Sequence, residues 1–318
     1  MSEGMKRRDV LVRLGLAAAG VGGAWWLRDN VLWRRPEVTF PAATNWLAYD
    51  QPRAEVPIVR AVVAGRPVRA LIDSGAQYSV IDRVLFESLG LTNTFDIPLV
   101  AYGVSGDPQL GRGTTLDVVV GGLRIGGLRT AILGLGPIAV RAGLGASLIL
   151  GRDLLGEGVL DIDVDQERLR FLAPGTAMPA IVSPVAVRKK GGALVTEATV
   201  EGATVEAVVD TGASALIALS RSTAEGAGLL DGRHARRGAS IVLGGAMASS
   251  VVEARTVTFG DQLYERVETP IYPDVALPGF PAALLGMAAF AGRRMVMDLG
   301  AGRLAVSRPL DLTILPRA

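Results

Sequence analysis

Two short motifs carry the residue types that could do chemistry in this chain. Asp73-Ser74-Gly75-Ala76 and Asp210-Thr211-Gly212-Ala213 each follow an apolar run, Ala70-Leu71-Ile72 in one case and Ala207-Val208-Val209 in the other. A carboxylate at the end of a buried strand is costly to desolvate unless it is hydrogen-bonded or paired. Glycine lets the backbone turn an N–H group toward the carboxylate, and a Ser or Thr hydroxyl can lock the turn. One such motif is typical of an ordinary Asp-led turn, whereas two copies predict a paired site.

The two motifs lie at matching places in an internal repeat. Asp73 and Asp210 are 137 residues apart in the sequence. Three further blocks follow in the same order at offsets of 135 to 139 residues: 82–91 with 220–229, 116–121 with 255–260, and 148–151 with 283–286. So long a period excludes a solenoid and indicates a duplicated lobe. A pseudo-twofold axis between two such lobes would bring the Asp-led turns face to face, which predicts a carboxylate dyad.

The composition excludes most other catalytic chemistry. The 318-residue chain has no Cys, so thiol nucleophiles, disulfides and thiolate metal sites are excluded. Its single His, His234, cannot form a two-histidine zinc site and lies in a run predicted to be a solvated loop. The net charge is only +2, and the excess of basic residues is in the first 35 residues, so no nucleic-acid surface is expected. If the protein is an enzyme, we therefore expect its chemistry to rest on carboxylates.

The local sequence patterns predict an all-β fold with a few short helices. Alternating apolar residues between Gly-rich turns are typical of short strands. Asp82 and Ser220 are good N-caps, and the helices that they begin are expected to stop at Gly90 and Gly228. The acidic run 161–165 lacks the Gly and Glu of a calcium loop, so it is predicted to be a strand and turn with solvated acids.

The chain divides into an N-terminal segment and two lobes. The lobes are predicted to span 54–172 and 193–318, joined by a Pro- and Gly-rich connection, 173–192. Residues 36–53 are predicted to be a linker or a pro-segment. The apolar run 275–292 is not expected to cross a membrane, because two prolines interrupt it and the repeat explains it better.

Residues 1–35 have the pattern of an export signal. Lys6-Arg7-Arg8 precedes the fourteen uncharged residues of Leu14–Leu27, which is similar to a twin-arginine signal, although Val10 stands where that signal usually has Phe. A disordered basic tip on a cytoplasmic protein is the alternative. The pattern favours an exported protein, either periplasmic or tethered to the inner membrane and facing the periplasm. Whether the signal is cleaved or retained as an anchor stays open.

The sequence resembles the aspartic peptidases of the pepsin and retropepsin clan, from about residue 54 to 308. The resemblance rests on both Asp-led motifs and on the segments Ile149-Leu150-Gly151 and Leu284-Leu285-Gly286. It implies a bilobal acid-protease fold with two pseudo-twofold-related β-barrel lobes. It also implies the site residues: Asp73 and Asp210 as the catalytic pair, Ser74 and Thr211 as cross-links between the loops, and Gly75 and Gly212 as supports. Retropepsins are dimers of single lobes, whereas this chain carries both, so a monomer is expected.

The chemistry implied by the resemblance needs two carboxylates and a water, and no metal and no cofactor. Two carboxylates about 3 Å apart cannot both ionise, so one of them holds a proton. The ionised member deprotonates the water that attacks a peptide carbonyl, and the protonated member hydrogen-bonds the carbonyl oxygen. The two titrate as a pair, so the sequence assigns neither role to one particular Asp.

A segment beginning Tyr102-Gly103 lies where the family carries its β-hairpin flap. Tyr102 is either the tyrosine that covers the substrate or an ordinary strand residue. Taken together, the sequence predicts an aspartic endopeptidase that acts on peptide or protein substrates. The alternative is a catalytically silent peptide-binding module with the same cleft.

Overall fold

The computed structural model describes residues 34–51, 55–102, 108–140, 144–242, 245–274 and 280–309. Strands dominate these ranges, and we number them in chain order. The first half contains β1 Glu37–Thr39, β2 Leu47–Ala48, β3 Ile58–Val63, β4 Arg66–Ile72, β5 Val80–Asp82, β6 Thr94–Tyr102, β7 Pro108–Val120, β8 Leu123–Leu133, β9 Leu148–Leu150, β10 Val159–Asp163 and β11 Arg168–Leu172. The second half contains β12 Val182–Val185, β13 Arg188–Lys190, β14 Ala193–Val200, β15 Ala203–Val209, β16 Ile217–Ser220, β17 Ala235–Val242, β18 Gly245–Phe259, β19 Gln262–Tyr272, β20 Ala283–Leu285, β21 Arg294–Asp298 and β22 Arg303–Ser307.

The helices are short and begin where the caps predict. Helix α1 (Arg83–Ser88) has Asp82 as its N-cap, and that carboxylate accepts from Val84 N at 3.1 Å. Helix α2 is Arg152–Leu155, and α3 (Arg221–Gly226) is capped by Ser220. Two 3-10 turns, Gly136–Ile138 and Met287–Phe290, complete the helical elements of the described ranges. No helix in those ranges has the length and apolar character that a membrane crossing needs.

Each half of the chain closes six strands into a barrel. In the first lobe, β7 pairs with both β3 and β8, which closes the ring β8-β5-β9-β4-β3-β7. In the second lobe, β18 pairs with both β14 and β19, which closes the ring β14-β15-β20-β16-β19-β18. The strand orders correspond one to one, including the parallel pairs β4–β9 and β15–β20. The predicted all-β architecture of two related barrel lobes is therefore confirmed.

The turns that begin the repeat show why the same residues recur. Ala64 and Gly65 join β3 to β4 with φ angles of 48° and 75°, and Glu201 and Gly202 join β14 to β15 with φ angles of 52° and 87°. Two successive positive φ angles are the mark of the tight hairpin turn that matches strand twist, and Gly is the residue that accepts them at no steric cost. The hairpins place the following strands, β4 and β15, so that each ends at an Asp-led motif.

A third sheet joins the two lobes. Its order is β12-β22-β21-β10-β11-β2, and the central pair, β10 with β21, comes from different lobes. Strand β1 pairs with β8 of the first lobe, and β2 pairs with β11 of the shared sheet. The segment 36–53, predicted to be a linker or a pro-segment, therefore adds one strand to each of these two sheets. Two further strands, β12 and β13, lie in the predicted inter-lobe connection.

A buried ion cluster lies within this shared sheet. The Asp161 carboxylate on β10 is fully buried and accepts from Arg170 Nε at 2.9 Å and from Arg294 Nε at 2.7 Å. The Trp46 ring covers the guanidinium groups of Arg170 and Arg294 at 4.5 and 5.1 Å. The expectation that this acidic run is solvated is therefore wrong for Asp161, because the partner strand from the other lobe brings the second arginine to it. His234, by contrast, is exposed, as expected.

Candidate active site

Both Asp-led motifs follow a strand that is held by its neighbour in the barrel. Asp73 N donates to Leu150 O at 3.0 Å, and Asp210 N donates to Leu285 O at 2.9 Å. Leu150 and Leu285 end β9 and β20, the strands of the apolar-apolar-Gly segments. These parallel pairings fix where β4 and β15 stop, so each Asp emerges from its barrel at the equivalent place.

The turn after each Asp points backbone N–H groups at its carboxylate. Asp73 Oδ1 accepts from Gly75 N at 2.8 Å and from Ala76 N at 2.9 Å. Asp210 Oδ1 accepts from Gly212 N at 2.8 Å. The two carboxyl groups also interact directly across the lobe boundary, since each shifts the pKa of the other. The structure thus brings Asp73 and Asp210 together in one dyad.

The hydroxyl groups of the two motifs cross-link the lobes beneath the dyad. Ser74 Oγ donates to Val209 O at 2.8 Å and accepts from Thr211 N at 3.0 Å. Thr211 Oγ1 donates to Ile72 O at 2.7 Å and accepts from Ser74 N at 2.9 Å. Both side chains are buried, and each hydroxyl uses its donor and an acceptor site on the other lobe. Four hydrogen bonds therefore fix one turn against the other.

The glycines of the motifs leave the room that the dyad occupies. A Cβ atom on Gly75 would lie 2.6 Å from the carboxyl group of Asp210, and one on Gly212 would lie 2.6 Å from that of Asp73. Real Cβ atoms do not approach other heavy atoms so closely. Each glycine therefore packs its bare backbone against the carboxyl group of the opposite lobe.

Comparison with models of sequence families shows which family this chain belongs to. The model of a family described as "Aspartyl protease" matches residues 59–154 and again residues 196–289, so each lobe matches it once. The chain belongs to the aspartyl protease family. Each matched range contains one Asp-led motif and the apolar-apolar-Gly strand behind it, so the family match follows the internal repeat.

Two solved structures are similar to this aspartyl protease family member. One, a retropepsin-like aspartic protease from Rickettsia conorii, is 22% identical, with 39% of this chain and 90% of that chain covered and a TM-score of 0.31. The other, Basic 7S globulin from soybean, is 10% identical, with 86% of this chain and 98% of that chain covered and a TM-score of 0.48. No curated protein sequence matched the chain.

Burial and mutual repulsion set the protonation of the dyad. Burial raises the pKa of Asp73, although the N–H groups of Ala76 and Gly75 oppose this. Burial also raises the pKa of Asp210, and the negative charge of Asp73 raises it further. Asp73 is the better solvated as an anion, because it accepts two backbone N–H groups where Asp210 accepts one. This difference favours the shared proton on Asp210.

Two groups near the dyad were not singled out by the sequence. Arg152, the first residue of α2, lies close enough for its positive charge to lower the pKa of both Asp73 and Asp210. Tyr272 lies at the end of β19, where burial and the charge of Asp210 raise its pKa, and its hydroxyl donates to Pro281 O at 2.8 Å. Aligning the repeats places Arg152 opposite a methionine, a difference that the sequence alone could have revealed.

The predicted flap residues lie at the edge of the described structure. Tyr102 ends β6 and pairs with Pro108 at the start of β7, so the two strands are antiparallel neighbours up to the edge of the described ranges. Gly103 and the side chain of Tyr102 lie outside the described part, and their role stays a prediction. Within the described ranges, no three metal-binding side chains come close enough together to hold an ion.

Asp210→Asn is expected to stabilise the fold at pH 7 and to leave its stability nearly unchanged at pH 3. With the pKa of Asp210 raised, the folded state binds more protons than the unfolded chain above about pH 4, so wild-type stability falls as pH rises. At high pH the wild type loses about 1.4 kcal/mol of folding stability for each unit by which folding raises the pKa. The Asn side chain cannot ionise, so the variant does not have this loss. Denaturant unfolding at both pH values measures the difference.

Asp274→Asn is the matched control, with the opposite sign. Its exposed carboxylate accepts from the backbone N and hydroxyl of Ser222, which lower its pKa. This variant should therefore lose stability at pH 7 and not at pH 3. Equal destabilisation of Asp210→Asn at the two pH values would contradict a raised pKa for that carboxyl.

Proposed function

We propose that this chain is an aspartic endopeptidase in which Asp73 and Asp210 activate a water for attack on a peptide carbonyl. The observation that carries the proposal is the dyad itself: two interacting carboxyl groups, one from each lobe, that meet at turns held by reciprocal hydroxyl cross-links. Family membership supports it, because both motifs lie within the matched ranges.

The proposed reaction divides the work between the two carboxyl groups. Asp73, the ionised member, accepts a proton from the water as its oxygen bonds to the carbonyl carbon. Asp210, the protonated member, donates its proton to the carbonyl oxygen, which gives a tetrahedral diol. Asp73 then gives its proton to the amide nitrogen while Asp210 takes a hydroxyl proton from the diol. The C–N bond breaks, the amine and the acid are released, and the dyad regains its single proton. Because the two carboxyls share one proton, the pair should act as one titrating unit.

The remaining site residues have supporting roles in this proposal. Ser74 and Thr211 hold the two turns at a fixed separation, so the carboxyl groups meet without rearrangement. Gly75 and Gly212 allow the close approach. Tyr102 and Gly103 are proposed to belong to a hairpin that covers the bound peptide. Each residue acts on geometry, which matters because a small misplacement of reacting atoms is costly.

The proposed activity is tested with casein and a peptide library at several pH values between 3 and 7. We expect internal peptide bonds to be cleaved, with products identified by mass spectrometry, and cleavage to be blocked by a statine-type transition-state analogue. A serine-directed inhibitor is the control and should have no effect. Peptide binding without cleavage at every pH would instead favour the catalytically silent binding module.

We further propose that the protein is exported and works as a monomer. Export is supported by the arginine pair Arg7-Arg8, which follows Lys6, and by the uncharged stretch Leu14–Leu27. The monomer is supported by the presence of both Asp-led motifs in one chain. N-terminal sequencing of the mature protein from separated cell fractions tests export and anchoring together. Recovery of the intact N-terminus in the cytoplasmic fraction would overturn the proposal that the protein is exported.

A further inference from the structure

Arg152 is fixed against the back of the first Asp-led motif. Its backbone N donates to Ala76 O at 3.0 Å, directly after β9 ends. The preceding Gly151 packs so closely on the carbonyl group of Tyr78 that a Cβ atom there would lie 2.7 Å from the carbonyl carbon. The start of the Arg152 side chain is therefore anchored to the turn that carries Asp73.

The second lobe has the same anchor with a neutral side chain. Met287 N donates to Ala213 O at 2.8 Å, which is the counterpart of the contact between Arg152 and Ala76. Met287 is buried. The two lobes thus match in backbone and differ by one positive charge at equivalent positions beside the dyad.

One nitrogen of the Arg152 side chain, Nε, is buried and has no hydrogen-bond partner among the described residues. Asp153, the next residue, directs its carboxylate to Ser79, accepting from the backbone N at 3.0 Å and from Oγ at 2.8 Å. The positive charge of Arg152 therefore acts on the negative charges that lie near it.

The charges near Arg152 include both members of the dyad. The groups that interact with its guanidinium electrostatically are Asp73, Asp210, Tyr78 and Asp153. Burial lowers the pKa of Arg152, and the charges of Asp73 and Asp210 oppose that effect. Tyr272 is the other titratable group beside Asp210. Since arginine stays protonated in proteins, Arg152 is a constant charge across the working pH range.

We propose that Arg152 is a positioning residue that holds the dyad in its singly ionised form, and that it does so from the first lobe alone. A dyad with one proton carries one negative charge between two barrels, and removing that charge from water is costly. The positive charge of Arg152, on a backbone anchored to the first motif, offsets this cost. Without it, the pair would keep both protons to a higher pH and would lack a base for the water. This inference rests on the proposed peptidase function.

The test compares Arg152→Met, Arg152→Lys and Met287→Leu in the full chain. Arg152→Met copies the second lobe, and we expect both limbs of the pH profile of kcat/KM to move upward by about one pH unit. Arg152→Lys keeps the charge and should restore the limbs toward their wild-type positions. Met287→Leu changes packing at the equivalent place without changing charge and should leave both limbs where they are.

A purely structural role for Arg152 gives a different result. In that case Arg152→Met would lower the melting temperature or kcat while both limbs stayed in place, which would overturn the inference. Arg152→Gln is the second variant if Arg152→Met does not fold, since it also removes the charge but keeps polar contacts.

A measurement without substrate separates this inference from the proposed function. Carboxyl titration by ¹³C NMR, assigned with Asp73→Asn and Asp210→Asn, reports the ionisation of the dyad directly. A wild-type protein that cleaves nothing would overturn the peptidase proposal alone, and an upward shift of the dyad titration in Arg152→Met would still support the role of Arg152. An unchanged titration would overturn it.

Discussion

Replacing Asp73 or Asp210 with Asn is expected to lower kcat/KM for peptide hydrolysis by about 100- to 10,000-fold, the range for losing a general acid or base. Asn has nearly the shape of Asp but can neither accept the proton of the water nor donate a proton as a carboxylic acid. The dyad needs one of each form, so either substitution removes one of the two roles. Steady-state kinetics at the pH of maximum wild-type activity measures the effect.

Asp165→Asn is the control for this substitution. Asp165 is exposed in the turn between β10 and β11, outside both Asp-led motifs, so this variant should keep wild-type kinetics. Both dyad variants should still bind a peptide inhibitor, because the substitutions preserve the shape of the site. Full activity in either dyad variant would exclude the proposed mechanism, whatever the fold.

Gly75→Ala and Gly212→Ala are expected to lower kcat/KM by at least about 100-fold, the cost of misplacing reacting groups by about an ångström. Each new methyl carbon would lie 2.6 Å from the carboxyl group of Asp210 or Asp73, respectively. The carboxyl groups must therefore move apart or turn away. Because the added group is a single carbon at the lobe boundary, far-UV circular dichroism should show the barrels intact while activity is lost.

Gly134→Ala distinguishes this close approach from a general intolerance of alanine. A Cβ atom on Gly134 would meet nothing within 4 Å, and its backbone does not require a positive φ. The control should keep its activity and melting temperature. If Gly75→Ala and Gly212→Ala behaved like Gly134→Ala, the carboxyl groups would not be packed against these glycines in solution.

The repeat in the sequence made the architecture predictable. Duplicated sequence blocks in a constant order predicted two related lobes. The two six-stranded barrels do have equivalent strand orders. The N-caps Asp82 and Ser220 correctly predicted the helix starts, since capping depends on local sequence. The sequence also predicted that Asp73 and Asp210 lie together, because pseudo-twofold symmetry relates the ends of equivalent strands.

What the sequence did not predict depends on contacts between distant segments. Asp161 looked like a solvated acid because its second arginine partner, Arg294, comes from the other lobe, 133 residues away. Arg152 was not singled out in the sequence, and its contact with Ala76 in the folded chain places it beside the first motif. Long-range pairing, rather than local propensity, decides both environments.

The strand pairing of β10 with β21 has a consequence for how the site is assembled. Since both halves belong to one chain and one continuous sheet, their encounter is intramolecular, and dilution does not dissociate them as it would two separate copies. A site made by two identical copies must also repeat every side chain on both sides of its axis. A duplicated chain escapes that symmetry, so one lobe can keep Arg152 while the other keeps Met287.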